Sequence, residues 1–191
     1  MIEKYNKAVE QYNQTFEMLD NLGKTFEKFF AKKGKEFSGD VFVKQFDCVL
    51  QYALLEFALA DGEICENEIS FIKNLTKKGD LVTYINSYYK TSISWNDILN
   101  AKSSSVAKWI KVNKEYVDKI AEQFTDAFAF ADSALDEDLF TKLNDSVVAI
   151  FVMLSFMDGD SSEAEKKAIR ENYIVKFFAS IQLKINEFDK E

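Results

Sequence analysis

Residues 2–30, IEKYNKAVEQYNQTFEMLDNLGKTFEKFF, carry apolar side chains at Ile2, Tyr5, Val9, Tyr12, Phe16, Leu19, Leu22, Phe26, Phe29 and Phe30. Steps of three and four alternate along this series, so the side chains share one helical stripe. A stripe this long needs a partner surface. It reads either as an amphipathic helix packed on its own domain or as a coiled coil, and the lack of obvious e/g charge pairing favours the first. Gly34 and the segment KEFSGD over residues 35–40 follow. They read as a turn in which Asp40 is placed to cap the next helix.

Outward from there, residues 41–60 are strongly apolar but include Lys44, Asp47 and Glu56. That pattern predicts a buried helix rather than a membrane span. Further helices are expected over residues 66–77, over 81–89, over 95–99 behind Ser94, and from Val106 to about Ala131. Ser103, Ser104 and Ser105 read as a loop between two of them. Asp136 can cap a helix leading into the apolar run that ends at Asp158-Gly159, and a last helix runs from Ser162 toward Phe188. No segment alternates with period two, and the chain has no proline to break a helix. The expected class is all-α, a compact helical bundle of about eight helices. An N-terminal amphipathic helix covers residues 1–34 and a helical domain covers residues 41–188, in one domain overall.

Composition narrows the function. With 191 residues, 47% of them hydrophobic, the chain can bury a core of its own. A net charge of −8 repels phosphate, so neither nucleic acid nor an anionic membrane is an expected partner. The absence of histidine excludes Ser-His-Asp and Cys-His centres, His-ligated zinc and His-ligated haem. Cys48 and Cys65 make neither a disulfide framework nor a four-thiolate metal site. Cys48, within an apolar run, reads as core. Cys65 stands among acids, which disfavours its thiolate. No nucleophile, phosphate loop or dinucleotide fingerprint stands out, so neither an enzyme nor an organic cofactor is expected. The polar, acid-containing start is unlike a signal peptide, and residues 147–157 are far short of the roughly 20 a spanning helix needs. The expectation is a cytoplasmic protein without direct membrane insertion.

One pattern occurs twice. Leu54 to Ala60, all apolar but Glu56, precede Asp61-Gly62-Glu63-Ile64-Cys65-Glu66-Asn67-Glu68. Phe151 to Met157, all apolar but Ser155, precede Asp158-Gly159-Asp160-Ser161-Ser162-Glu163-Ala164-Glu165. From Asp61 to Asp158 and from Glu68 to Glu165 the offset is the same, 97 residues. The repeats span about residues 41–77 and 144–180, an internal pseudo-two-fold duplication. A fainter Ala131–Asp136 copy lacks the glycine and reads as a turn.

Two readings of this motif stand side by side. In one it is helix-end chemistry: the glycine ends a helix in a left-handed conformation. Glu165 then closes a capping box on Ser162, while in the first copy Cys65 is a poor acceptor and the box with Glu68 is half made. In the other, the D-G-x5-E spacing matches the fifth, sixth and twelfth positions of an EF-hand loop. The first and third positions, however, are Phe57 and Leu59 or Leu154 and Phe156, so neither copy can enclose calcium alone. Asp61, Glu63 and Glu68 would have to converge with Asp158, Asp160 and Glu165. Like charges repel by about 4 kcal/mol at 4 Å with an effective dielectric of about 20, so a cation would be needed between them. Hard oxygen ligands select calcium, magnesium or manganese.

At these residues the chain resembles the tellurite-resistance TerB family and the wider TerB-like group, which includes the N-terminal region of DnaJ-like membrane co-chaperones. Ala60-Asp61-Gly62-Glu63-Ile64 through Glu68 carries the first copy of the family signature. Asp158-Gly159-Asp160 through Glu171 resembles the C-terminal copy, with Met157 for the alanine and Ser161 for the apolar residue. The resemblance covers about residues 41–180. It implies a non-enzymatic stress-response module with an acidic cluster proposed to bind metal, working with protein partners that are often membrane-linked. The 2–30 stripe would add a route to oligomerisation. The alternative is a protein-interaction or scaffold domain in which the motifs are only helix caps.

Overall fold

The computed structural model describes residues 2–75, 78–135, 138–155, 167 and 171–188. The helices are α1 (Ile2–Lys32), α2 (Gly39–Ala58), α3 (Glu66–Leu75), α4 (Leu81–Tyr89), α5 (Trp95–Leu99), α6 (Ser103–Leu135), α7 (Leu139–Leu154) and α8 (Tyr173–Phe188). No strand occurs among the described residues. The chain is all-α, and its helices form one compact bundle.

Helix α2 is the hub, because it is apolar nearly all round and such a helix is stable only when surrounded. Helices α1, α3, α4, α6, α7 and α8 all touch it. Helix α1 lies across α2 and α7, so Tyr12, Leu19, Leu22 and Phe26 are buried in the common core. The long stripe therefore finds its partner surface within its own chain. Burying each such Leu or Phe contributes about 1.5–3 kcal/mol. Phe26 gathers Phe30, Phe37, Phe42 and Phe130 around it at centroid distances of 5.7–6.5 Å. Phe42 in turn stacks on Phe124 at 4.6 Å, joining α1, α2 and α6. Helices α6 and α8 pack along each other.

Several boundaries differ from the sequence reading, each for a local reason. Helix α2 is capped by Ser38, whose hydroxyl accepts from Val41 N at 3.3 Å, rather than by Asp40. Asp40 sits in the first turn and pairs with Lys44. Gly39 is not a turn glycine. It lies where α2 crosses Gly23 of α1, and a Cβ on it would stand 2.4 Å from the Gly23 carbonyl carbon. The serine run 103–105 is the first turn of α6 rather than a loop, with Ser105 N and Val106 N donating to the Lys102 carbonyl. Helix α6 continues through Asp132, whose carboxylate accepts from Leu139 N and Phe140 N and so fixes the start of α7. The α7 cap is Asp138, accepting from Thr141 N at 3.0 Å; Asp136 lies outside the described residues. The final helix is interrupted at Asn172, whose side chain accepts from Ile174 N at 2.9 Å and restarts the chain as α8.

Candidate functional site

The first acidic motif is the junction between α2 and α3. Leu59 ends α2, and Gly62 N donates to the Leu59 carbonyl at 3.0 Å with Gly62 at φ +94°, a conformation that favours glycine. A Cβ there would meet nothing within 4 Å, so the glycine serves the backbone and not packing. Asp61 Oδ1 accepts from Glu63 N at 3.0 Å, a side-chain-closed turn. Ile64 N donates to Ser103 Oγ at 3.2 Å, which ties the junction to the start of α6. Glu68 reaches back so that its Oε2 accepts from Cys65 N at 2.8 Å, while Ile69 N donates to the Cys65 carbonyl. This is the half-made capping box expected from Cys65 and Glu68. Glu68 is only 5% exposed, whereas Asp61 and Glu63 are open to solvent. The Cys65 thiol has its pKa raised, first by burial, so it is no activated nucleophile.

Asp61 closes the turn and Glu68 caps the start of α3, while Glu63 is exposed to solvent. No group of three or more His, Cys, Asp or Glu side chains placed to hold a metal ion occurs among the described residues. Asp61, Glu63 and Glu68 thus do not form a ligand set by themselves. Asp158, Asp160 and Glu165, with the Ser162 capping box, lie outside the described residues.

What flanks the second motif is described, and it returns to α2 on both sides. Phe151, near the end of α7, meets Phe57 edge-on with centroids 5.4 Å apart. Beyond the motif, Asn172 Nδ2 donates to the Ala53 carbonyl at 3.2 Å and Tyr173 N donates to Glu56 Oε2 at 2.8 Å. The Tyr173 ring packs edge-on against Tyr52 at 5.0 Å. The last two turns of α2 therefore lead into the first motif and also receive the chain before and after the second.

Sequence reading missed the residues that organise this end of the bundle. Glu56 looked like a charge on an apolar helix, yet its carboxylate accepts the first amide of α8. Asp47 looked like another, yet it is buried and accepts from Tyr12 Oη at 2.8 Å and from Lys78 N and Gly79 N at 2.9 Å. A lone acid within an apolar run, facing amides from a distant turn, is the signal that was there to find.

Comparison with protein-family models, with curated proteins and with solved structures finds no match to this chain. The TerB resemblance rests on its two motifs.

Proposed function

We propose that this chain is a non-enzymatic helical scaffold or interaction module in which the D-G-x5-E segments serve as helix junctions. The observation that carries this reading is the use of Asp61 and Glu68 in the described copy: each carboxylate accepts an amide of its own loop. The lack of histidine and of any recognisable nucleophile supports a binding role over catalysis. A net charge of −8 supports protein partners over nucleic acid. Among the described residues no helix is long and apolar enough to cross a membrane, which agrees with a cytoplasmic module whose partners supply any membrane link. The stress-response and tellurite-resistance role is carried by the motif resemblance.

A second reading, a divalent cation held between Asp61, Glu63, Glu68 and Asp158, Asp160, Glu165, is favoured by the flanks described above. The described chain before and after the second motif meets the same end of α2 that leads into the first. Thermal melting separates the two readings. If the motifs are caps, calcium, magnesium or manganese at millimolar concentration leaves the melting temperature of the wild type where chelator leaves it. Glu68→Gln, which keeps an acceptor, then stays near wild type, and Glu68→Ala loses about 1 kcal/mol. A metal-dependent rise in wild type that disappears in Glu68→Gln and in Asp61→Asn/Asp158→Asn overturns the cap reading in favour of the cation.

A further inference from the structure

A second candidate site has none of the Asp61–Glu68 junction residues in its lining. Between α6 and α8 lies an open groove of about 290 Å³ whose apolar lining is Ala121, Tyr173 and Phe177. Two of the acids along its α6 wall are already partnered. Asp118 receives Lys114 Nζ at 2.7 Å and Tyr173 Oη at 2.9 Å, and Asp126 faces Lys184 at 3.4 Å. Glu122, one turn from each, and Lys176, contributed by α8, line the same groove and form no ion pair with any described residue. Thr125 also lines it. Its residue is 7% exposed, and its Oγ1 is buried without a hydrogen-bond partner among the described groups. A threonine within a helix ordinarily returns its hydroxyl to the carbonyl four residues back. A buried hydroxyl that makes no bond is a cost that folded proteins rarely carry.

We propose that this groove binds a small zwitterion with an apolar side chain, the chemistry of a free α-amino acid. Glu122 meets the ammonium, Lys176 meets the carboxylate, and Thr125 Oγ1, turned toward the groove on binding, supplies the hydrogen bond between them. The side chain lies on the Phe177 ring, beside the Tyr173 ring that Lys114 Nζ covers at 5.3 Å. One charge of each sign without an ion-pair partner among the described residues favours a ligand that is neutral overall and dipolar, over an anion or a cation alone. The volume falls at the lower end of the range for small-molecule sites, about 300 Å³. The groove is separate from the Asp61–Glu68 junction, so the inference stands whether that junction is a cap or a cation site.

The test is calorimetric titration and thermal melting of the full chain with L-leucine and L-phenylalanine. N-acetyl-L-leucine and L-leucine amide, each lacking one of the two charges, are the comparison ligands. Saturable binding of the free amino acid is expected, with both derivatives at least about tenfold weaker, the equivalent of about 1.4 kcal/mol. Glu122→Gln should abolish the discrimination against the acetylated form, and Lys176→Met that against the amide. Thr125→Val should melt at or above wild type while its ligand response falls. Absence of saturable binding to the folded wild type at millimolar ligand overturns the proposal, and so does binding that all three variants leave unchanged.

Discussion

Gly23 and Gly39 meet backbone to backbone, and the close crossing of α1 and α2 depends on their lacking a Cβ. A methyl on Gly39 would fall 2.4–2.6 Å from the Gly23 carbonyl group, and one on Gly23 would fall 2.8 Å from the Gly39 oxygen. Neither obstacle is a side chain that could rotate away, so the helices themselves must separate. Gly39→Ala is expected to cost about 3 kcal/mol, at the upper end for overpacking. Gly34→Ala, where nothing lies within 4 Å and only φ +68° objects, should cost about 1 kcal/mol. Urea midpoints of the two variants check the difference, and equal values would mean the crossing relaxes freely. In the sequence Gly39 looked like any turn glycine, because its counterpart lies on another helix and no local pattern announces a crossing. Tyr12 makes the same point with chemistry. Its hydroxyl donates to buried Asp47, so Tyr12→Phe removes one donor from a carboxylate and should lose about 1.5–3 kcal/mol by the same measurement.

Among elements, what was legible is what neighbouring residues decide. The α5 cap was read correctly because Ser94 and Asp97 are three residues apart and close a capping box by themselves. The α2 cap lies two residues before the expected Asp40, since Ser38, Gly39 and Asp40 all suit a helix start and the crossing with α1 chooses among them. The serine run suits a loop by composition, since serine competes with the helix backbone, yet here Ser103 starts α6 and its hydroxyl takes an amide from the α2–α3 junction. The junction itself was half legible: Gly62 and the Cys65–Glu68 box follow from spacing, whereas Glu56 and Asn172 act across more than a hundred residues. Thr125 was invisible, one polar position in a long helix until α8 is laid beside it. Helix α1 had two readings, arm or core, and the structure leads to a definite expectation. Deleting residues 2–32 would uncover the surfaces of α2 and α7 that bury Tyr12, Leu19, Leu22 and Phe26. The shortened chain should aggregate or lose cooperative melting. A soluble, sharply melting product, seen by sedimentation and circular dichroism, would make α1 an appendage.

At the scale of the whole molecule, buried tyrosine hydroxyls bridge separate helices, and this sets how stability responds to pH. Tyr12 joins α1 to α2 through Asp47, and Tyr173 joins α8 to α6 through Asp118. Tyr52 runs from α2 to the Ile110 carbonyl of α6. All three have pKa values raised above the ordinary tyrosine value, by burial first and then by nearby carboxylates. A group whose pKa is higher folded than unfolded holds its proton more tightly when folded. Its contribution is complete below the unfolded value near 10 and is lost as pH rises beyond it. Lys78, raised chiefly by its hydrogen bond to Asp20, works in the same direction. On the acid side Asp20 is lowered by Lys24 and Lys78, Asp97 by the hydroxyl and amide of Ser94, and Asp138 by the hydroxyl and amide of Thr141. Those contributions are present above the unfolded value near 4 and fade as pH falls through the folded ones. The melting temperature should therefore hold level from about pH 6 to 9 and fall above about pH 10. Tyrosinate absorbance from Tyr12, Tyr52 and Tyr173 should rise only together with loss of helical dichroism, because burial raises these hydroxyls above the ordinary tyrosine value for as long as the helices stay closed. Single Tyr→Phe variants assign the absorbance. If their tyrosinate signal rose while the helices were still intact, the hydroxyls would be reachable by solvent and the three bridges would not be what holds these helices together.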